Sequence, residues 1–325
     1  MTHLVGVKFN RRKFLLGTTA TASLGGLWLA SSERRAARWF RRIVADGGRT
    51  VQPAPVKPDL ATWSDNAVTI CWVGHATVLI NFYGIRILTD PTFGDRVGVS
   101  LGLWTAGPKR FFAPALRLKD LPPIDLVLLS HAHMDHMDLP SLRAFVGKTA
   151  IVAARNTTDL LGNIAAKPPT ELGWGDDFTL RTVRGELRVE ALEVNHWGKR
   201  WPNEEIARGY NGYILRREGR AILIGGDTAN TPLFGEMRSR GPFDAAIMPI
   251  GAYDPWIRSH CTPEQAVDMA NAAGARFIVP VHHQTFRLSD EPMSEPIERL
   301  QEALQHEPER LALQQIGEAF VCPKA

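Results

Sequence analysis

From about residue 67 onward the chain is written as short, strongly apolar runs separated by turn-forming residues. The runs are Val68 to Val73, Thr77 to Phe82, Ile85 to Thr89, Leu126 to Ser130 and Ala150 to Ala153. They continue as Val189 to Val194, Gly212 to Leu215, Ala221 to Ile224, Ala245 to Pro249 and Phe277 to Val281. Runs of this length, bounded by Gly, Pro, Asn and Asp, predict strands. Helical spacing comes between the later ones. The clearest helix starts at Thr262, where Thr as N-cap, Pro263 as first helical residue and Gln265 three positions on make a capping box, and it ends near Gly274. Strands too apolar to show either face to water predict two sheets covered by helices, an α/β layered body. In such a body the side chains that do chemistry collect in loops past the strand ends.

The first sixty residues read differently. Asn10-Arg-Arg-Lys-Phe-Leu-Leu16 resembles the twin-arginine export motif, and an uncharged stretch from Phe14 to Ala30 follows. That stretch is short for a spanning helix and rich in Gly, Ala, Ser and Thr, so residues 1–32 are expected to be an export signal, with an uncleaved membrane anchor as the alternative. The expected location is the periplasm. Residues 33–44 place Ala36, Ala37, Trp39, Phe40, Ile43 and Val44 on one helical face and five arginines on the other. Such a basic amphipathic helix either lies on an anionic membrane surface or packs, solvated, against the body. Residues 47–59 carry Gly47, Gly48, Pro53, Pro55 and Pro58 and read as a linker into a catalytic domain at 60–325.

Composition is that of a folded protein, 44% hydrophobic and 22% charged. The net charge of +4 is a property of the leader: residues 1–50 hold ten Lys/Arg against Glu33 and Asp46, whereas the rest holds 28 against 32 acids. A basic isoelectric point therefore argues nothing for nucleic-acid binding, and none is expected. Cys71, Cys261 and Cys322 are odd in number and far apart, which suits buried thiols rather than a disulfide framework or a zinc ribbon.

Directly after the run ending at Ser130 comes His131-Ala-His133-Met-Asp135-His136. In an extended segment, residues two apart project to one side, so His131 and His133 can share one cation while the turn that follows aims Asp135 and His136 at a second. Burying these groups without a ligand would cost several kcal/mol. Three later polar residues, His196, Asp227 and His282, each follow an apolar strand and suit the missing positions.

His-x-His-x-Asp-His followed at long range by His, Asp and His is the pattern of the metallo-β-lactamase superfamily. Trp72-Val-Gly-His-Ala-Thr77, Gly107-Pro-Lys-Arg-Phe111, Leu121-Pro-Pro-Ile-Asp125, Gly225-Gly-Asp-Thr228, Pro249-Ile-Gly-Ala-Tyr253 and His282-His-Gln-Thr-Phe286 resemble the N-acylphosphatidylethanolamine-hydrolysing phospholipase D branch, over roughly residues 60–310. The resemblance implies an αβ/βα sandwich with two Zn2+. It gives His131, His133 and His196 to one metal, Asp135, His136 and His282 to the other, and Asp227 to both. His283 stands where that branch commonly has Trp, which leaves His282 and His283 as rivals for the last position. The ligand types accept Mn2+ or Fe equally well.

Two divalent cations about 3.5 to 4 Å apart share a water, lower its pKa towards neutrality and present hydroxide for attack. The expected activity is hydrolysis of a phosphodiester in a lipid or lipid-like substrate. Attack on a carbonyl, as by a lactonase or lactamase, is the alternative, and a metal redox protein a third. Catalytic roles fall to Asp135, Asp227 and His260, the last as a substrate contact. His75 is expected to support the site rather than ligate, Asp90 to orient backbone or a ligand histidine, and Tyr253 to donate a proton, contact phosphate or serve structurally. The apolar loop 96–116, with Val97, Val99, Leu101, Leu103, Trp104, Phe111 and Phe112, forms either a lid or acyl-chain wall or simple packing over the sheet. Trp197, Lys199, Arg200 and Trp201 raise the same choice.

Overall fold

The computed structural model describes residues 46–325, apart from 101, 103, 104, 146, 148, 165–167, 202 and 325. The export segment 1–32 and the amphipathic helix 33–44, with the membrane contact expected of it, lie outside the described residues, as do Leu101, Leu103 and Trp104. Among the described residues no helix is long and apolar enough to cross a membrane.

Three strands open the body as an antiparallel meander, β1 (Val68–Gly74), β2 (Thr77–Phe82) and β3 (Ile85–Thr89). A separate ribbon pairs β4 (Val99–Ser100) with β5 (Thr105–Ala106). Then β6 (Leu126–Leu129), β7 (Ala150–Ala154) and β8 (Thr170–Leu172) extend the first sheet in parallel from β3. A second sheet holds β9 (Asp177–Thr182), β10 (Gly185–Leu192), β11 (Gly212–Arg217) and β12 (Arg220–Ile224), which pair antiparallel, and β13 (Phe243–Pro249) and β14 (Ala275–Val281), which are parallel. The last strand, β15 (Ala319–Val321), returns to the first sheet beside β1. Among the described residues these strands are accompanied by the α-helices α1 (Leu139–Leu142), α2 (Leu233–Glu236), α3 (Pro263–Ala273) and α4 (Glu295–Ala303).

Period-two alternation explains why the strands are apolar throughout. Ile70, Trp72, Val78, Ile80 and Leu128 of the first sheet meet Val189, Leu215, Ile222, Ile247 and Val279 of the second in one core. The intervening residues face outward into two further cores. Leu79, Leu88, Val127 and Leu129 pack with Leu142 of α1 and Phe145, while Ile214, Leu223, Ala246 and Ile278 pack with Phe234, Val267, Ala270 and Leu300 of α2, α3 and α4. The layers run helix, sheet, sheet, helix. This is the metallo-β-lactamase αβ/βα sandwich expected.

Helix α3 begins as its sequence directs. Thr262 Oγ1 accepts from Gln265 N, Gln265 Oε1 accepts from Thr262 N at 3.1 Å, Pro263 is the first helical residue, and Gly274 closes the end at φ 79. Elsewhere the structure adds to the reading. β8, β9 and β15 were not expected, because each has partly or wholly exposed positions, as edge strands do, and so lacks an apolar run. β10 ends at Leu192, which sets His196 in a turn beyond the strand rather than at its end. The compact unit starts at Thr50. Within the expected linker, Gln52 N donates to Phe111 O (2.8 Å) and Val56 N to Ile316 O (3.1 Å), so residues 50–59 are laid against the body.

Candidate metal centre

β6 lies between β3 and β7 and delivers its C-terminal end to the edge of the sandwich. Past it, the turn at 133–137 is closed by His136 N and Met137 N donating to His133 O (3.1 and 2.8 Å). The extended part puts His131 Nε2 and His133 Nδ1 2.8 Å apart on one side, and the turn swings Asp135 and His136 to another. Asp227 arrives from β12 through Gly225-Gly226. Gly226 has φ 58, and a Cβ there would stand 2.7 Å from Asn211 O, so the turn that drops Asp227 into the centre requires glycine. His282 follows β14 at φ 63, with its N–H donating to His75 O (3.0 Å).

All seven residues singled out in the sequence converge. His131, His133, His196 and Asp227 form one cluster of donor atoms within 4.8 Å of one another, and Asp135, His136 and His282 form a second, which His75 joins. One atom, Asp227 Oδ2, serves both. It lies 3.9 Å from His131 Nε2 and from His196 Nε2, and 3.1 and 3.2 Å from His136 Nε2 and His282 Nε2. Asp135 Oδ2 is 3.6 Å from His136 Nε2 and 3.3 Å from His282 Nε2.

Neighbours fix which nitrogen three of the histidines offer. Asp90 Oδ2 is 2.8 Å from His136 Nδ1, while its Oδ1 accepts from Ser130 N (2.8 Å), so Asp90 orients both backbone and a clustered histidine, as expected of it. Ser259 O lies 2.8 Å from His196 Nδ1, and Ser130 Oγ 2.9 Å from His131 Nδ1. In each case the remaining Nε2 faces the centre, the usual arrangement of ligating histidines. Arg200 Nη1 donates to Ala132 O (2.8 Å) and Met137 O (3.0 Å), which clamps the segment from the opposite side.

Charge divides the two clusters. Burial, and then the neighbouring imidazoles, hold His131 well below the ordinary histidine range and His133 down to about 3. Burial also opposes charge on His136 and His282, but carboxylates outweigh it. Asp227, Asp135 and Asp90 push His136 well above its usual value, and Asp227 with Asp135 raises His282 to about 9. Asp135 and Asp227 lie well below the ordinary carboxylate range despite their burial, because His136 and His282 face them.

The donor set fits divalent metal. His136 Nε2, both nitrogens of His282 and Asp227 Oδ1 are buried without a hydrogen-bond partner, which a folded protein rarely tolerates. Imidazole nitrogens and carboxylate oxygens at this separation are a ligand set for Zn2+ or its first-row neighbours.

The remaining candidates separate by geometry. His283 stacks on Trp72 at 4.4 Å and turns away from the clusters, which leaves the position on the second cluster to His282. His260 borders the centre, its Nδ1 4.0 Å from Asp227 Oδ2 and without a hydrogen-bond partner, and burial holds its pKa to about 3. Tyr253 is committed elsewhere, donating to Glu295 Oε1 (2.8 Å) beneath Arg299. Val97 is buried and Phe112 packs against the central core, so these parts of loop 96–116 serve packing. Trp197 is 49% exposed and its ring centroid lies 4.3 Å from that of His133, with the ring planes inclined at 63°, at the rim of the centre. The supporting roles of Ser130 and of the Ser259 carbonyl were not read from the sequence. A carbonyl carries no residue signature, and a serine beside a histidine is too common to mark.

Comparison with known proteins gives a match to the β-lactamase superfamily domain over residues 85–283. An uncharacterised protein of Mycobacterium tuberculosis is 31% identical over 290 residues, 86% of this chain and 76% of that protein. The N-acyl-phosphatidylethanolamine-hydrolyzing phospholipase D 1 of Caenorhabditis elegans is 30% identical over 257 residues, covering 74% and 71% of the two chains. Among solved structures, a metallo hydrolase from the archaeon Ignicoccus hospitalis aligns over 80% of this chain and 100% of its own, with TM-score 0.61 at 18% identity, a likeness of fold.

Proposed function

Because this chain belongs to the β-lactamase superfamily, as a metal-dependent hydrolase, we propose that it is a dinuclear phosphodiesterase acting on a lipid or lipid-like substrate. The observation that carries the dinuclear part is Asp227 Oδ2, one oxygen facing the nitrogens of both clusters. His131, His133 and His196 would hold one cation, Asp135, His136 and His282 the other, with Asp227 shared. When bound, the cations, most simply Zn2+, supply an activated water at neutral pH and neutralise charge that develops on the ester oxygens.

The protein's own groups do the rest. Asp90, Ser130 and the Ser259 carbonyl keep the histidine rings aimed inward. Asp227 Oδ1, buried and without a hydrogen-bond partner, accepts the proton lost by the attacking water. Neutral His260 contacts the substrate at the open side, and Trp197 gives the rim an apolar wall. The phosphodiester rests on the kinship with the phospholipase D relative. Export by the twin-arginine route, to a place where membrane lipid is the neighbour, belongs to the same reading.

Purified protein with quantified metal content is incubated with N-acylphosphatidylethanolamine and with ordinary phospholipids. Release of phosphatidic acid, abolished by a chelator and restored by Zn2+, is expected. Inert phosphodiesters alongside rapid turnover of lactones or lactams would replace the substrate class and leave the metal centre intact. Activity that survives complete metal removal would defeat any such hydrolase.

A further inference from the structure

The β1–β2 turn brings the His75 side chain to the centre. His75 is 1% exposed and adopts φ 53, a left-handed conformation uncommon outside glycine. Three contacts hold it there. Its N–H donates to Thr285 Oγ1 (2.8 Å), and its carbonyl accepts from Trp72 Nε1 (2.8 Å) and from His282 N (3.0 Å). The ring is thereby placed with Nε2 2.9 Å from Asp135 Oδ2.

That nitrogen differs from its neighbours. His136 Nε2 and His282 Nε2 face the same carboxylate but have no hydrogen-bond partner, as nitrogens reserved for a cation would be, whereas His75 Nε2 is engaged. An ionised carboxylate can only accept, so the proton of this bond sits on His75 Nε2. Asp135 stands in a turn past the strand end and would otherwise be free to rotate about its side-chain torsions. A donor anchored on a different strand pair removes that freedom.

We propose that His75 is a positioning residue, whose Nε2–H fixes the Asp135 carboxylate for the second cation as Asp90 fixes His136. The inference rests on the dinuclear reading above. It makes the β1–β2 turn part of the second metal site and of no other.

The test uses the full chain, stripped of metal and titrated with Zn2+ against a competing chelator, for wild type, H75F and H75Q. Phenylalanine keeps the ring volume without the donor, while the amide N–H of glutamine reaches about as far as Nε2. One zinc equivalent should bind about 10- to 100-fold more weakly in H75F, the range typical of lost supporting hydrogen bonds to ligands, with the other equivalent unchanged. H75Q should return to within about threefold of wild type. In a parallel titration with Co2+, the d–d band of only one equivalent should shift in H75F. Wild type that binds fewer than two equivalents would sink the dinuclear reading and this inference together. Two equivalents in wild type and H75F alike, at equal affinity, would sink the inference alone. So would H75Q as weak as H75F, which would make His75 a ligand. A metal-free H75F that unfolds well below metal-free wild type, with both equivalents equally weakened, would make it a packing residue.

Discussion

Replacing Asp227 by Asn removes the one charge that both clusters share and leaves the shape of the side chain intact. His136 Nε2 and His282 Nε2 lie 3.1 and 3.2 Å from its Oδ2. In the metal-free protein the rise of His282 from 6.5 to about 9 is the excess of carboxylate attraction over the opposing cost of burial, a net preference for the imidazolium of about 3 kcal/mol at about 1.4 kcal/mol for each pH unit. Asp227 and Asp135 share that attraction, so D227N should lose roughly half of it, and His282 should titrate at least about one pH unit lower, read by NMR of the imidazole nitrogens. On the dinuclear reading, bound cations would take the place of those protons. Dialysed D227N should therefore retain at most one equivalent of metal and lose at least about a hundredfold in kcat, since on that reading the shared oxygen would belong to both sites. A variant that keeps two equivalents and wild-type turnover, or in which His282 still titrates near 9, would refute the reasoning.

Two further outcomes follow from the same geometry. Burial holds His75, His133, His260 and His283 at about 3. Unfolded histidines take up protons near 6.5, so in metal-free protein stability that is present above pH 6.5 is lost as pH falls towards 3, by several kcal/mol in total. His282 works in the opposite sense, its contribution present below pH 6.5 and lost as pH rises through about 9. Calorimetry of chelated protein between pH 4 and 9 should show Tm falling on the acid side, and a flat acid limb would contradict the burial of these rings. Arg200→Ala deletes the two bonds to Ala132 O and Met137 O. It should cost about 2 kcal/mol in urea unfolding and speed metal loss to a chelator, and a change under about 0.5 kcal/mol would show that the clamp carries no weight.

Much was legible along the chain because its causes are local. Thr262, Pro263, Gln265 and Gly274 specify a helix by contacts within their own turn. Apolar runs specify strands, and four candidate ligands within six residues leave few other readings for 131–136. Kinship added the pairing of distant ligands. What was missed was what depends on company. Edge strand β9 has outward-facing residues and no apolar signature. Tyr253 looked available until Glu295, on α4, took its hydroxyl.

The sequence by itself therefore determined the layered body and the identity of the seven convergent residues, since alternation and residue chemistry are properties of the chain. Only the tertiary structure decided how they are arranged. His282 and His283 are neighbours that point opposite ways, and what separates them is a stack against Trp72 on the other sheet. Asp90 and His75 support His136 and Asp135 from 46 and 60 residues away. Contacts of that range exist only once the sheets have packed, because their partners are set by the register of strands and not by spacing along the chain.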